Sequence, residues 1–432
     1  MAARLSFRAD LHSVVLAAWV LAAMPAAAGA AWTTFQGDAA HTGYVPGHLD
    51  PRSFEELWHV GYGMTSTEHL QPVAAGDGKV FLAKTSYCYT PSEVRGFDAR
   101  SGQLLWTRSI PDIPGLSPAA YTDGRVYAHA SGHSSVPPAP TVYCYDANTG
   151  KTLFAAAHLG QWDDHGVPTL YGGSLYTSGR RNGGLDAYDA GTGRVLWSRD
   201  MPQQYGWSPA VDGEHVYVYI RAPDINPGRL YVIDRLTGDL DFEIRDPNSG
   251  WNLGQQSNPA LGSGSDAFVI NEDRLIRFDL ASRGISWERP GNYTGGLALA
   301  DGRLFTIEDG ELIVLEEDTG DPLWSWSAGP GSGLRGNLVV TDSHVFTSSG
   351  THVFAVDRDL REGVWSAAGV SGDLAIADGL LFVTENGGLY VYQVPEPTSL
   401  SLLALGGLAV ARGGRPRERR ATGSRRRLRP GR

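Results

Sequence analysis

Between residues 57 and 393 short apolar runs alternate with clusters of glycine and aspartate, and the alternation is regular. Leu185-Asp-Ala-Tyr188 reads as a strand, Asp189, Gly191 and Gly193 as a tight turn, and the segment ending on Trp197 as a second strand. Glycine supplies the positive φ that such a turn needs, and aspartate can accept hydrogen bonds from the turn's own amides. No apolar spacing of helical period runs far enough to predict a long amphipathic helix.

The unit recurs. An acidic residue stands eight positions before a bulky aromatic in seven copies: Asp98/Trp106, Asp146/Phe154, Asp189/Trp197, Asp234/Phe242, Asp279/Trp287, Glu316/Trp324 and Asp357/Trp365. Upstream, a small turn leads into an apolar strand, as in Asp77-Gly78-Lys-Val-Phe81, Asp123-Gly124-Arg-Val-Tyr127, Asp301-Gly302-Arg-Leu-Phe305 and Asp378-Gly379-Leu-Leu-Phe382. A period of about 40–45 residues carrying strand and turn signals predicts an all-β propeller of four-stranded antiparallel blades. The last copy has a strand at 389–392 but no Trp strand after it, whereas Leu57-Trp58-His59-Val60 is a Trp strand with nothing before it. Pairing the two halves gives eight blades and a ring without open edges. Without that pairing the count is seven. Insertions fall at 86–93, 131–140 and 223–229, and the Pro137-Pro138-Ala-Pro140 cluster belongs to a loop.

The repeat resembles the PQQ-like propeller repeat, whose signature is an Asp, a Thr-Gly turn and a Trp. The resemblance covers residues 32–394, and Phe35-Gln-Gly-Asp-Ala-Ala-His-Thr-Gly-Tyr44 looks like the phrase that opens such domains. In quinoprotein dehydrogenases the repeat aromatic docks each blade on its neighbour. The resemblance gives that role to Trp58, Trp106, Phe154, Trp197, Phe242, Trp287, Trp324 and Trp365.

Both ends differ in character from this body. Residues 1–31 carry Arg4 and Arg8, an apolar run at 14–24 and a small-residue stretch ending Ala30-Ala31, the make-up of a secretory signal peptide. In 395–432, Pro395-Glu396-Pro397 is followed by the apolar run 400–411 and an Arg-rich end. This tail resembles the PEP-CTERM sorting signal of Gram-negative bacteria. The resemblance implies recognition by an exosortase-type processing enzyme and attachment to the membrane through the C-terminal segment, the basic end serving retention.

The net charge of −11 conceals an asymmetry. Residues 32–394 hold 24 basic and 44 acidic residues, a net of about −20, which argues against nucleic acid as a partner. Cys88 and Cys144 are the two cysteines of an exported chain, and they read either as a disulfide or as separate small strand residues.

Catalysis by pyrroloquinoline quinone would need a planar cofactor over the channel, a Ca²⁺ held by oxygen ligands and an Asp base. These residues cannot be placed in the sequence. There is no vicinal cysteine pair, no haem-type Cys-x-x-Cys-His, and no Gly-x-Ser-x-Gly, His-Glu-x-x-His or P-loop. Asp163-Asp164-His165 has metal-competent side chains but reads as a solvated loop, so no metal is expected. Three successive connections between blades share amides, carboxylates and aromatics: Gln161-Trp162-Asp163-Asp164-His165, Gln203-Gln204-Tyr205-Gly206-Trp207, and Trp251-Asn252-Leu253-Gly254-Gln255-Gln256. At one mouth of the channel they would suit a sugar or a peptide; alternatively Trp207 and Trp251 seal blade junctions. The sequence thus reads as a monomeric, non-catalytic binding or scaffold module without cofactor, its partner an extracellular polysaccharide or another envelope protein. The alternative is a PQQ- and calcium-dependent oxidoreductase of alcohols or sugars.

Overall fold

The third repeat shows how each blade forms. Its strands are Thr169–Tyr171, Ser174–Ser178, Gly184–Asp189 and Val195–Asp200, hydrogen-bonded in that order and antiparallel. Gly172 and Gly173 join the first two at φ 56 and 77, the two-positive-φ geometry that matches hairpin twist. Elsewhere an Asp-Gly pair does the same work: Asp77, Asp123, Asp301 and Asp378 take φ between 47 and 54. In the turn before the outer strand, Asp189 Oδ1 accepts from the Thr192 amide at 2.8 Å and the Thr192 hydroxyl at 2.7 Å. The outer strand continues past Trp197 to Asp200, further than the apolar pattern indicates, because the inner edge of the strand pairs with Gly184.

The computed structural model describes residues 31–394 apart from 87–90, 112, 114, 131–140, 158–165, 179–182, 205, 222–226, 250–257, 272, 332 and 386. Eight such blades form an eight-bladed β-propeller. The eighth is a composite of Asp373–Ala377, Leu380–Glu385 and Gly388–Gln393, completed by Glu55–Gly61 from the N-terminal side, with Trp58 opposite Val391. First and last segments therefore share one sheet, and the ring closes. An extra strand, Glu68–Leu70, pairs with Lys79–Ser86 in the first blade.

In all eight blades the register slips by one residue just before or beside the repeat aromatic. Such a bulge bends the strand and re-aims a side chain. The aromatic then lies against the corresponding turn of the next blade. Trp58, Trp106 and Trp197 donate Nε1–H to the carbonyls of Ala99, Ala147 and Arg235 at 2.9, 2.8 and 3.0 Å. Their rings cover Gly102, Gly150 and Gly238, where a Cβ would lie within 2.7 Å of the indole. Phe154 covers Gly193 and Trp287 covers Gly320 in the same way. Two turns lack the glycine and place an arginine at positive φ, Arg283 at 57 and Arg361 at 60. Arg283 stacks its guanidinium 4.3 Å from the Phe242 ring centroid, and Arg361 and Trp324 line the same small cleft. Trp365 meets no turn, since the eighth blade has none at that position. It packs edge-on to Phe54 at 5.4 Å and to Tyr392 at 5.2 Å.

Cys144 is fully buried in the second blade, where burial pushes its thiol up to about 11. Cys88 lies outside the described residues.

Candidate functional site: an N-terminal arm along the inner strands

The inner strands of a propeller leave one edge unpaired toward the axis, and buried amides there need partners. Residues 32–45 supply them. Trp32 exchanges two backbone hydrogen bonds with Ala75 of the first blade, at 2.8 and 2.9 Å. Tyr121 of the second donates to the Thr33 carbonyl, and the Thr34 hydroxyl donates to Pro168 O beside the third. Val211, Leu261, Leu299 and Val340, on blades four to seven, donate to the carbonyls of Ala39, Ala40, Thr42 and Gly43 at 2.7–2.8 Å. The arm thus visits the blades in order around the axis, and Phe35–Gly37 packs against the inner strands of the seventh and eighth.

Small residues permit this close approach. A Cβ on Gly43 would sit 2.8 Å from that of Ala298. Gln36 and His41 hold positive φ at 50 and 61, and their side chains turn into protein rather than solvent. The Gln36 amide donates to Leu297 O, and His41 Nδ1 is 2.8 Å from Pro259 O. Burial holds the His41 imidazole neutral, its pKa lowered to about 4 against the pull of that hydrogen bond. Nδ1 therefore carries the proton, and Nε2 is sealed from solvent with no hydrogen-bond partner among the described residues. Burial also raises the Asp38 carboxyl, opposed by hydrogen bonds from Thr42.

Beside the arm lies a chamber of about 360 Å³ lined by residues of the arm and of blades five to eight. Asn337 spans the junction of blades seven and eight, donating to Leu374 O and accepting from Leu374 N, both at 2.8 Å. Next to it the half-buried Asp373 faces the chamber with no hydrogen bond or ion pair to the described residues, and burial pushes its carboxyl up to about 6. Phe35 and Tyr293 supply aromatic surface.

A second polar cluster lies between blades four and five. Asp246 accepts from Tyr219 at 2.5 Å, from Asn271 at 2.9 Å and from both terminal nitrogens of Arg274 at 3.1 and 2.9 Å. Every acceptor position of this carboxylate is used, so it serves as a structural tie.

Of the loop residues singled out in the sequence, Trp162, Asp163, Asp164, His165, Tyr205, Trp251, Asn252, Gln255 and Gln256 lie outside the described residues. Trp207 is not an exposed loop aromatic. It is 2 % exposed and fills the junction of blades three and four with Trp197, Met201 and Tyr231, because the chain turns inward after Gly206. Its neighbour Gln204 is buried too, accepting from the Arg221 amide at 2.6 Å. The sequence reading passed over Gln36, His41, Asn337 and Asp373. The opening phrase 35–44 was the one available signal for the first two.

Residues 138–289 and 271–394 match the family model described as outer membrane protein assembly factor BamB, and residues 393–420 match that of the PEP-CTERM protein-sorting motif. BamB from Moraxella catarrhalis superposes with a TM-score of 0.57 at 16% identity, over 79% of this chain and 99% of that one. The computationally designed protein Ika8 gives 0.59 at 15% identity, over 78% and 99%. Both likenesses are of fold. Tetrathionate hydrolase from Acidithiobacillus ferrooxidans is 30% identical over 182 residues, 37% of this chain and 33% of that enzyme, so the match spans about a third of the relative's length.

Proposed function

The chain belongs to the PQQ-repeat propeller family described as outer membrane protein assembly factor BamB, and from that premise we propose a non-catalytic binding or scaffold module of the cell envelope. The PEP-CTERM motif marks it as exported and envelope-associated in a Gram-negative bacterium, the motif being one that an exosortase processes. Its partner on this reading is extracellular polysaccharide or another envelope protein.

The observation that carries the reading is the arm that pairs with the inner strands of successive blades around the axis. Quinone chemistry needs a flat slot on the axis and a converging set of oxygen ligands for calcium. Here the arm takes up the inner-strand edges around the axis, and the repeat tryptophans are spent on blade junctions. The chamber offers one carboxylate and one neutral imidazole, and no group of three His, Cys, Asp or Glu suited to a metal occurs among the described residues. The residues do not fit the cofactor. What is left for function is the outer surface and the loops, as in a protein that works by contact.

Affinity electrophoresis tests this. Migration of the exported protein should slow at least twofold in gels containing the extracellular polysaccharide of the producing cells, or crosslinking in intact envelopes should capture a defined envelope protein. Unchanged migration together with no crosslinked partner would contradict a binding role.

A further inference from the structure

The turn before the outer strand carries a glycine in five blades, at φ between 64 and 77, and an arginine in two. A side chain is strained in that left-handed conformation. In blade five the strain has a structural return, since Arg283 stacks on Phe242. In blade seven Arg361, at φ 60, makes no side-chain hydrogen bond, ion pair or ring contact with the described residues. It lines instead a cleft of about 180 Å³ at the junction of blades six and seven, together with Arg303, Leu323, Trp324, Arg358 and Asp359. Strain held at a cleft without a packing reason points to a site.

The rest of the cleft departs from the repeat in the same direction. Arg303 follows Asp301-Gly302 as Arg125 follows Asp123-Gly124. Arg125 donates to Gly191 O on the next blade's turn at 2.9 Å, whereas the half-buried Arg303 has no side-chain partner among the described residues. Trp58, Trp106 and Trp197 give their indole N–H to the next blade's turn, and Trp324 does not. Arg358 adds charge but no free donor arm, its terminal nitrogens bonding Thr341 O, Asp342 O and Asp301. Two uncommitted guanidinium groups thus converge within a body of net charge about −20.

Planar guanidinium groups match a carboxylate through paired hydrogen bonds. Asp359, also without a side-chain partner among the described residues, opposes a multiply charged anion but accepts from hydroxyls. Leu323 is 44% exposed and with the Trp324 ring offers an apolar face. Cationic donors, one acceptor and an apolar face are the complement of a sugar acid, which presents a carboxylate, hydroxyls and a C–H surface. The volume equals about six waters, enough for the charged edge of one residue.

We propose that this cleft binds a uronate residue of an acidic polysaccharide, Arg303 and Arg361 holding the carboxylate, Asp359 accepting from a hydroxyl, and Leu323 and Trp324 meeting the C–H face. This rests on the polysaccharide-binding role proposed for the chain and narrows it to a carboxylated polymer.

The test is calorimetric titration of the exported protein with tetragalacturonate, with maltotetraose as the neutral control and sodium sulfate as the bare anion. Tetragalacturonate should bind saturably and at least tenfold more tightly than either control. Arg361→Gly, which restores the residue used by five other turns, should fold and lose at least tenfold of that affinity, as should Arg303→Gln. Arg194→Gln, exposed on the corresponding turn of blade three, should leave it unchanged. No saturable binding, binding no tighter than a control, or full affinity in Arg361→Gly would each overturn the proposal. In gels of the native polysaccharide, slowing of Arg361→Gly equal to that of the wild type overturns the cleft and leaves the binding role standing. No slowing of either protein, with no crosslinked partner, contradicts the role itself.

Discussion

At the scale of single residues, the glycine under the repeat aromatic, where a repeat has one, does two separable jobs, left-handed backbone and room for the neighbouring ring. Gly150 has φ 64 and a Cβ there would meet Trp106 at 2.6 Å, whereas Gly124 has φ 72 and nothing within 4 Å. Gly124→Ala should cost only the backbone term of about 1–2 kcal/mol. Gly150→Ala adds overpacking and should cost about 2–4 kcal/mol, as read from urea melts. The chamber residues give a second prediction. His41 has a pKa lowered to about 4, so the unfolded chain binds its proton first and stability falls as pH drops from 6.5 to about 4. Asp373 is raised to about 6, so the folded chain holds its proton longer and stability falls as pH rises from about 4 to 6. Each effect amounts to about 3 kcal/mol when complete, and between pH 4 and 6 they oppose one another. Melts across that window should show Asp373→Asn losing stability on acidification and His41→Asn gaining it. Below about pH 4 a further loss sets in. Asp98, Asp146 and Asp189 are held below the usual carboxylate range by turn hydroxyls and amides, Asp234 and Asp279 by turn amides first. Their contribution is present above the unfolded value and lost as pH falls through the folded one.

At the scale of elements, ring closure depends on Glu55–Gly61, and that strand is locked by Trp58 over Gly102 and by its hydrogen bond to Ala99 O. Trp58→Ala should cost about 2–4 kcal/mol, less than a fully buried tryptophan because its ring is half-exposed. Hydrogen exchange should rise selectively in 55–61 and 388–393, with blades three to six unaffected; uniform loosening would show that this seam is not the weak point. Much of the blade was legible because its determinants are local: an Asp bonding an amide three residues on, a glycine at positive φ, an aromatic four residues after that. The path of the arm was not legible. Its partners run from Ala75 to Val340, far away in sequence, and its residues are small or polar with no period to betray a buried strand-like segment. Of the two sequence readings of Trp207, an exposed loop aromatic or a seal between blades, the structure shows the second, and only the neighbouring blade decides between them.

At the scale of the whole molecule, charge, fold and tail agree on an exported acidic ring that acts at the envelope. Eight blades followed from matching an orphan Trp strand to an orphan half-repeat, and the shared sheet of Glu55–Gly61 and Gly388–Gln393 is that match. Chemistry was less legible, since a single carboxylate at a strand start, Asp373, has no motif around it. Changing Pro395, Glu396 and Pro397 to alanine should leave the C-terminus unprocessed, which mass spectrometry of the envelope-derived protein would read directly. The central claim, that the arm and the residues around it leave no site for the quinone cofactor, is tested most directly by titrating residues 32–394 with pyrroloquinoline quinone and Ca²⁺ while following the melt. A ligand at a hundred times its dissociation constant adds about 2.7 kcal/mol. The account predicts no saturable shift, and a clear one would contradict it.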